Sequence, residues 1–321
     1  MMQRIKKEQW VYGLLLLVIL VLIGLYLVLE NNGNWDYILP LRSKKLVAFI
    51  IVGISTTFAT ISFQTLAQNN ILTPSILGLD SLYVLFQTMI LFFYGSNHLV
   101  VRDKQINFLI SVVLMVGISF VLYQIVFRKY SSNLYLLMMV GMIAGTFFRS
   151  VSTFLQVLMD PNEFDKIQGK LFASFNNIDV ALLGITLLIG VGALMLLFRQ
   201  RKVLDVLHLG RDQAVNLGVN VEGTMLKVLV LVAILTSIST ALVGPITFLG
   251  FMVANLTYRI FKTYQHGILF IGGSFLSIIV LLVGQLVVER VFHLTTTLSV
   301  VIEFLGGCYF IYLLIKERKR E

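Results

Sequence analysis

RQRKVLDVLHLGRDQAVNLGVNVEGTMLK, residues 199–227, is the longest predominantly polar interval in a chain that is otherwise nearly all lipid-grade. It is patterned too closely to be a plain tether. Leu204, Leu207 and His208 recur at helical spacing, and the run from Asp212 to Leu217 ends at Gly218, a residue suited to capping a helix C-terminus. Asn220 is placed to cap a following helix that begins near Met225. The interval therefore reads as one or two short helices with glycine-marked corners, set between two membrane spans. An ordinary solvated loop is the competing reading. A loop built for rigidity implies that something outside the membrane pushes on it.

Working outward, composition sets the class. Of 321 residues, 58% are hydrophobic and 13% charged. The mean hydropathy of +0.90 excludes a soluble domain. The net charge of +9 resides in short basic clusters between apolar runs, which marks membrane orientation rather than a nucleic-acid patch. The single cysteine, Cys308, lies in an apolar run and supports no disulfide framework. The sequence has no CxxC, HExxH, EF-hand or GxxxxGK[ST] pattern, so it supplies neither a metal site nor a phosphate cradle of its own.

Apolar runs fall at about 11–29, 46–66, 76–94, 107–127, 134–158, 179–198, 225–243, 246–261, 267–288 and 298–315. The first is preceded by Arg4, Lys6 and Lys7 but lacks a cleavage site, so it is a span rather than a signal peptide. The expected fold is an all-α integral membrane protein of about ten transmembrane helices forming one domain over 1–321. The third and eighth helices are short. The interval 160–178 has room for extra structure. With the N-terminus inside, sixteen Lys and Arg fall on the inner side and eight on the outer, with Arg149 inside the fifth span. That bias puts both termini, and the 199–227 loop, in the cytoplasm.

Gly53, Thr56, Thr57, Thr60 and Gln64 lie within roughly 100° of one another on the second span. Such a stripe either lines a polar pathway or joins helices through close contacts and hydrogen bonds. Gly141-Met-Ile-Ala-Gly145 is a packing motif by the same rule. Arg149 is a charge in lipid, which faces a cavity or partner unless it snorkels to the outer interface. Glu303 poses the same choice. The four histidines share no metal-like spacing and read as interfacial residues. Gly244-Pro245 between two apolar runs reads as a tight hairpin followed by a short helix bearing Gly250.

These last residues carry a resemblance. The stretch from Gly244 to Asn255 is similar to the GPIxFxGLxxPH segment of the FecCD family, the permease subunits of bacterial ABC importers for iron–siderophores, haem and cobalamin. Leu209, Gly210, Ala214, Leu217, Gly218 and Val219 match that family's LGxxxAxxLGV signature. The run from Gln64 through Pro74 to Gly78 resembles its QxxxxNPLAxPxxLG, and Gly306-Gly-Cys-Tyr-Phe310 stands where it has GxPFF. Departures are Ala254-Asn255 for Pro-His, Asn70 for a proline and Cys308 for another. The GRDQAxNLGV and KLFASFN variants resemble the iron–siderophore branch.

The resemblance implies a type II ABC importer permease in the bacterial cytoplasmic membrane. A second permease subunit, identical or paralogous, pairs with it around a pathway. Two cytoplasmic ATPase subunits bind beneath, and a substrate-binding protein docks outside. This chain then binds no cofactor, and ATP and Mg sit on the ATPases. The coupling element maps onto Leu209, Gly210, Arg211, Asp212, Ala214, Leu217 and Gly218, within the loop at about 199–227. The binding protein meets Arg42, Lys45 and Arg290, for which their own loops offer only Asp36 and Glu289 as acidic partners. Candidate pathway residues are Thr56, Thr60, Gln64 and Arg149, with Gly244, Pro245 and Gly250 as a structural hairpin. The rival class is a stand-alone secondary transporter or channel, which would need intramembrane carboxylates, histidines or inverted repeats. Only Arg149, Glu303 and Asp80 answer that need, and no nucleophile–base constellation marks an enzyme.

Overall fold

A computed structural model describes residues 2–28, 35–96, 98–130, 134–176 and 178–318. Lys319 and Arg320, assigned to the inner side by the charge bias, lie outside them. The described residues form α-helices joined by short connections. The first half comprises α1 (Met2–Val28), α2 (Trp35–Ala67), a 3-10 turn (Pro74–Leu77), α3 (Leu79–Tyr94), α4 (Leu99–Arg102), α5 (Lys104–Tyr130) and α6 (Leu134–Val157). The second half comprises α7 (Pro161–Leu171), α8 (Val180–Arg199), α9 (Arg201–Leu207), α10 (Arg211–Asn216), α11 (Val221–Val243), α12 (Thr247–Phe261), α13 (His266–Arg290) and α14 (Leu298–Arg318).

Each of the ten apolar runs centres on one of these helices. Among the described residues, seven helices are long and apolar enough to cross a membrane: α1, α2, α5, α6, α8, α11 and α13. The apolar stretches Leu79–Tyr94 and Leu298–Leu313 are shorter, and α12 has 15 residues. The 160–178 interval contains α7, and α2 begins eleven residues before its apolar run does. At 33 residues α2 is about 50 Å long, well beyond the ~30 Å of a hydrocarbon core. Its extra turns carry Arg42 and Lys45, which therefore sit on a helix rather than on a flexible loop.

The bundle is layered by burial. Most of the apolar part of α2 is buried, whereas most of that of α1 is exposed on the outside of the bundle. α2 packs on α8, α11, α12 and α13, so it is the axis of the subunit. Small residues make this close packing possible. A Cβ on Gly273 would meet Thr57 Cγ2 at 2.6 Å and Thr257 Oγ1 at 2.9 Å, so α2, α12 and α13 converge at one glycine. Phe58 of α2 and Phe270 of α13 stack with centroids 4.1 Å apart.

Two glycine-dependent connections shape the middle of the bundle. Gly78 has φ +80°, which a side chain would strain, and it lies against Gly145 of α6. A Cβ on Gly141 would meet Leu77 Cα at 2.8 Å, so the GxxxG pair is the floor on which the 3-10 turn rests. Gly244 also has positive φ (99°) and, with Pro245 and Ile246, separates α11 from α12. The turn is as tight as the sequence suggests, but α12 does not fold back along α11. It packs on α2, α13 and α14 instead, so the expected hairpin is a corner. A glycine at φ 99° redirects the chain without requiring the flanking helices to pair.

Candidate functional site

At one end of the bundle, α9 and α10 fill the 199–227 interval. Leu204 and Leu207 are buried under α9, and Ala214, wholly buried, pins α10. Gly210 (φ 108°) and Gly218 (φ 82°) bracket α10. The amide of Gly218 donates to Val215 O at 2.9 Å and that of Val219 to Ala214 O at 3.0 Å. This pair of bonds is a Schellman cap, with Gly218 in the left-handed position it requires. Asn220 Oδ1 accepts from the Gly223 amide at 3.0 Å and caps α11, which starts four residues earlier than the apolar run suggests. Arg211 and Glu222 approach to 3.7 Å in an exposed pair worth at most about 1 kcal/mol.

The outer face of this element is apolar. Leu209, Val215 and Leu217 are 55%, 54% and 64% exposed, although they stand outside the membrane-spanning helices. Arg211 and Asp212 are exposed beside them. A rigid six-residue helix presenting aliphatic side chains to water, rimmed by charge, is a surface made to be covered.

In the middle of the bundle, Thr56 and Thr60 of α2 face Thr236, Ser239 and Thr240 of α11 across a cavity of about 30 Å³. Gly244 and Gly250 complete its wall, together with Ser75 and Asp80. A water needs about 10–15 Å³ of such volume, so the cavity takes about two waters and no chelate. The threonine stripe thus divides by role. Gly53 and Thr57 turn to α13, where Thr57 Oγ1 lies 2.8 Å from Gly53 O and 3.2 Å from Gly273 O. Thr56 and Thr60 face the cavity. Gln64, also buried, donates from Nε2 to Asn70 O at 2.8 Å. Asn255 Nδ2 reaches that same carbonyl at 3.1 Å, so Asn255 anchors the chain after α2.

Asp80, in the first turn of α3, accepts from Thr240 Oγ1 at 3.3 Å. Arg149 of α6 and Glu303 of α14 both lie within electrostatic reach of it. Three ionisable groups far apart in sequence therefore converge on one region of the bundle. Arg149 itself is exposed on the surface of the subunit. Among the described residues, no three His, Cys, Asp or Glu side chains come together as a metal site.

At the opposite end, Arg42, Lys45 and Arg290 do gather. Arg42 Nη1 donates to the carbonyls of Tyr26 and Leu27, closing the C-terminus of α1, and its guanidinium stands 5.4 Å from the Tyr26 ring centre. Lys45 Nζ donates to Asn176 Oδ1 at 2.8 Å and lies 3.6 Å from Glu289. Glu289 also accepts from Gln285 at 2.7 Å and from Tyr26 at 3.4 Å. Arg290, the last residue of α13, adjoins it. The charge that sequence leaves unassigned on this rim is thus largely engaged with the chain's own carbonyls and with Glu289. No local sequence signal pairs residue 45 with 289, because the contact spans nearly the whole chain.

Comparison with known proteins now adds to this geometry. Residues 10–316 match the FecCD transport family. The chain is 51% identical over 313 residues to the petrobactin import system permease protein YclO of Bacillus subtilis, covering 98% of this chain and 99% of that one. It is 38% identical to the petrobactin import system permease protein FatC of Bacillus anthracis, covering 98% and 92%. A solved metal-chelate type ABC transporter in an inward-facing conformation superposes with a TM-score of 0.85 at 18% identity, covering 96% of this chain and 99% of that one. At that identity the likeness speaks for the fold alone.

Proposed function

Because this chain belongs to the FecCD transport family, we propose that it is the membrane-spanning permease subunit of an ABC importer for an iron(III)–siderophore complex of the petrobactin class. The observation that carries the substrate class is the end-to-end 51% identity to a permease named for petrobactin import. The subunit sits in the cytoplasmic membrane with about ten spans and both termini inside. It pairs with a second permease copy or a paralogue, and a substrate-binding protein meets the rim around Arg290.

Leu209, Val215 and Leu217 then face a groove on a cytoplasmic ATPase, where ATP and Mg are bound and hydrolysed. The cavity beside Thr60 is too small for a chelate, which supports a route along the subunit's outer face, between it and its partner permease. The test is uptake of radio-iron-labelled petrobactin by a deletion strain. Restoring this chain restores uptake, whereas restored growth without petrobactin-dependent uptake would remove the substrate assignment.

Arg149 supports the same reading, being exposed on α6 within electrostatic reach of Asp80. On this reading it faces the route and attracts the anionic chelate. Replacing it with methionine keeps length and apolar area but deletes the charge. Uptake per membrane-inserted molecule should fall several-fold, with abundance unchanged. Equal uptake per molecule would make Arg149 a lipid anchor.

A further inference from the structure

A continuous set of hydrogen bonds leaves the half-buried Asp205 of α9 and enters the bundle. Asp205, on α9, accepts at Oδ1 from the backbone amide of His266 at 2.7 Å and pairs with His266 Nδ1 at 2.7 Å. That amide opens α13, so the carboxylate also stands at the favourable end of the helix dipole. The other ring nitrogen, Nε2, lies 2.7 Å from Thr65 Oγ1 of α2. Thr65 lies 3.0 Å from Ile61 O, to which its hydroxyl proton is directed. Nδ1 faces the carboxylate of α9 and Nε2 is tied to the Thr65 hydroxyl of α2, so one ring bridges two helices. His266 is wholly buried, contrary to the interfacial place its sequence context suggests. Burial works against the Asp205 carboxylate, yet the bonds and charge of His266 outweigh it and hold its pKa below the ordinary value.

A second bond runs parallel. Gln68 takes a left-handed backbone (φ 51°), which costs about 1–2 kcal/mol, and its Nε2 donates at 2.8 Å to both Thr65 O and Leu207 O. Leu207 is the last residue of α9. The helix leading into α10 is thus fastened to α2 and α13 by side chains that are not its chain neighbours. The exposed Arg211–Glu222 pair toward α11 is weak by comparison.

We propose that Asp205, His266 and Thr65 form the positioning link that carries displacement of α10 into α2 and α13. The proposal rests on the importer reading above and adds to it the route by which motion enters the bundle. Two bonds of 2.7 Å to Asp205 and a third to Thr65 hold these helices more firmly than the exposed 3.7 Å Arg211–Glu222 pair does, so the link resists separation while the loop is pushed.

The test uses the complete complex, with its ATPase and binding protein, in proteoliposomes. Asp205→Asn, His266→Gln and Thr65→Val are compared with wild type at matched ATPase copurification and matched melting temperature. Siderophore moved per ATP hydrolysed should fall at least tenfold in each, and Thr65→Ser, which keeps the hydroxyl, should retain the wild-type ratio. An unaltered ratio in the three disrupting variants overturns the link. A readout independent of transport is the nucleotide-driven distance change between spin labels at Val283 on α13 and Leu187 on α8. It should be present in wild type and absent in His266→Gln; persistence there also overturns the link. A wild-type complex that shows the distance change but moves no siderophore would sink the importer reading and leave the link standing.

Discussion

Gly218→Val abolishes coupling: uptake falls below about a tenth of wild type while the protein still inserts and accumulates. The residue has φ 82°, and a Cβ placed on it would meet no neighbouring atom within 4 Å. The cost lies chiefly in the backbone, about 1–2 kcal/mol for a β-branched side chain in the left-handed region. That is decisive because α10 is only six residues long, held by its Schellman cap, the buried Ala214 and an exposed ion pair worth at most about 1 kcal/mol. Straining the cap unwinds the last turn and scatters Val215 and Leu217, the aliphatic pair that faces the ATPase on our reading. Asparagine, which tolerates this conformation, should restore part of the uptake. Parallel measurements of uptake, ATP hydrolysis and membrane abundance decide the matter. Full transport by the valine variant would show that the cap is dispensable.

Gly250→Val should be more damaging to the fold itself. A Cβ at this position would fall on Thr60 Oγ1 and lie 3.1 Å from Thr60 Cβ and 3.2 Å from Thr56 Cγ2. Thr60 is a fully buried residue of the central helix, and its Cβ as well as its hydroxyl stands in the way. α12 would have to shift away from α2, at the cavity that both helices wall. Overpacking of this kind costs about 1–3 kcal/mol, expected as a clear drop in melting temperature in detergent together with loss of uptake. Relief should be specific. Thr60→Ala removes the obstructing hydroxyl, so Gly250→Ala with Thr60→Ala should be less destabilised than the single effects add up to. Additivity in that cycle would mean that the two helices are not in contact there.

How much of the molecule is legible from its residues alone depends on the range of the interactions. Length, apolarity and glycine placement act locally, so the apolar helices, the caps at Gly218 and Asn220, a turn at Gly244 and the packing role of Gly141 can be read from neighbouring residues. So can family membership, since its motifs are short and occur in order. Periodicity also places Thr56 and Thr57 on one side of α2, but only the neighbours distinguish their roles. One residue turns to α13 and its neighbour to a cavity, because two different helices press on adjacent strips of the same face.

The sequence alone thus determined a multi-span helical permease with a structured polar loop, since hydropathy and helix chemistry act over a few turns. Only the tertiary structure decided which charges meet. Arg42 closes α1, Lys45 pairs with Glu289, Arg149 and Glu303 approach Asp80, and His266 is sealed between Asp205 and Thr65. Apart from Glu303, which meets a like charge in Asp80, each of these groups is driven to a partner by the cost of leaving a charge or polar group unpaired in a medium of low dielectric. That cost is relieved wherever the fold brings a partner within reach, and reach depends on how helices far apart in the chain pack together.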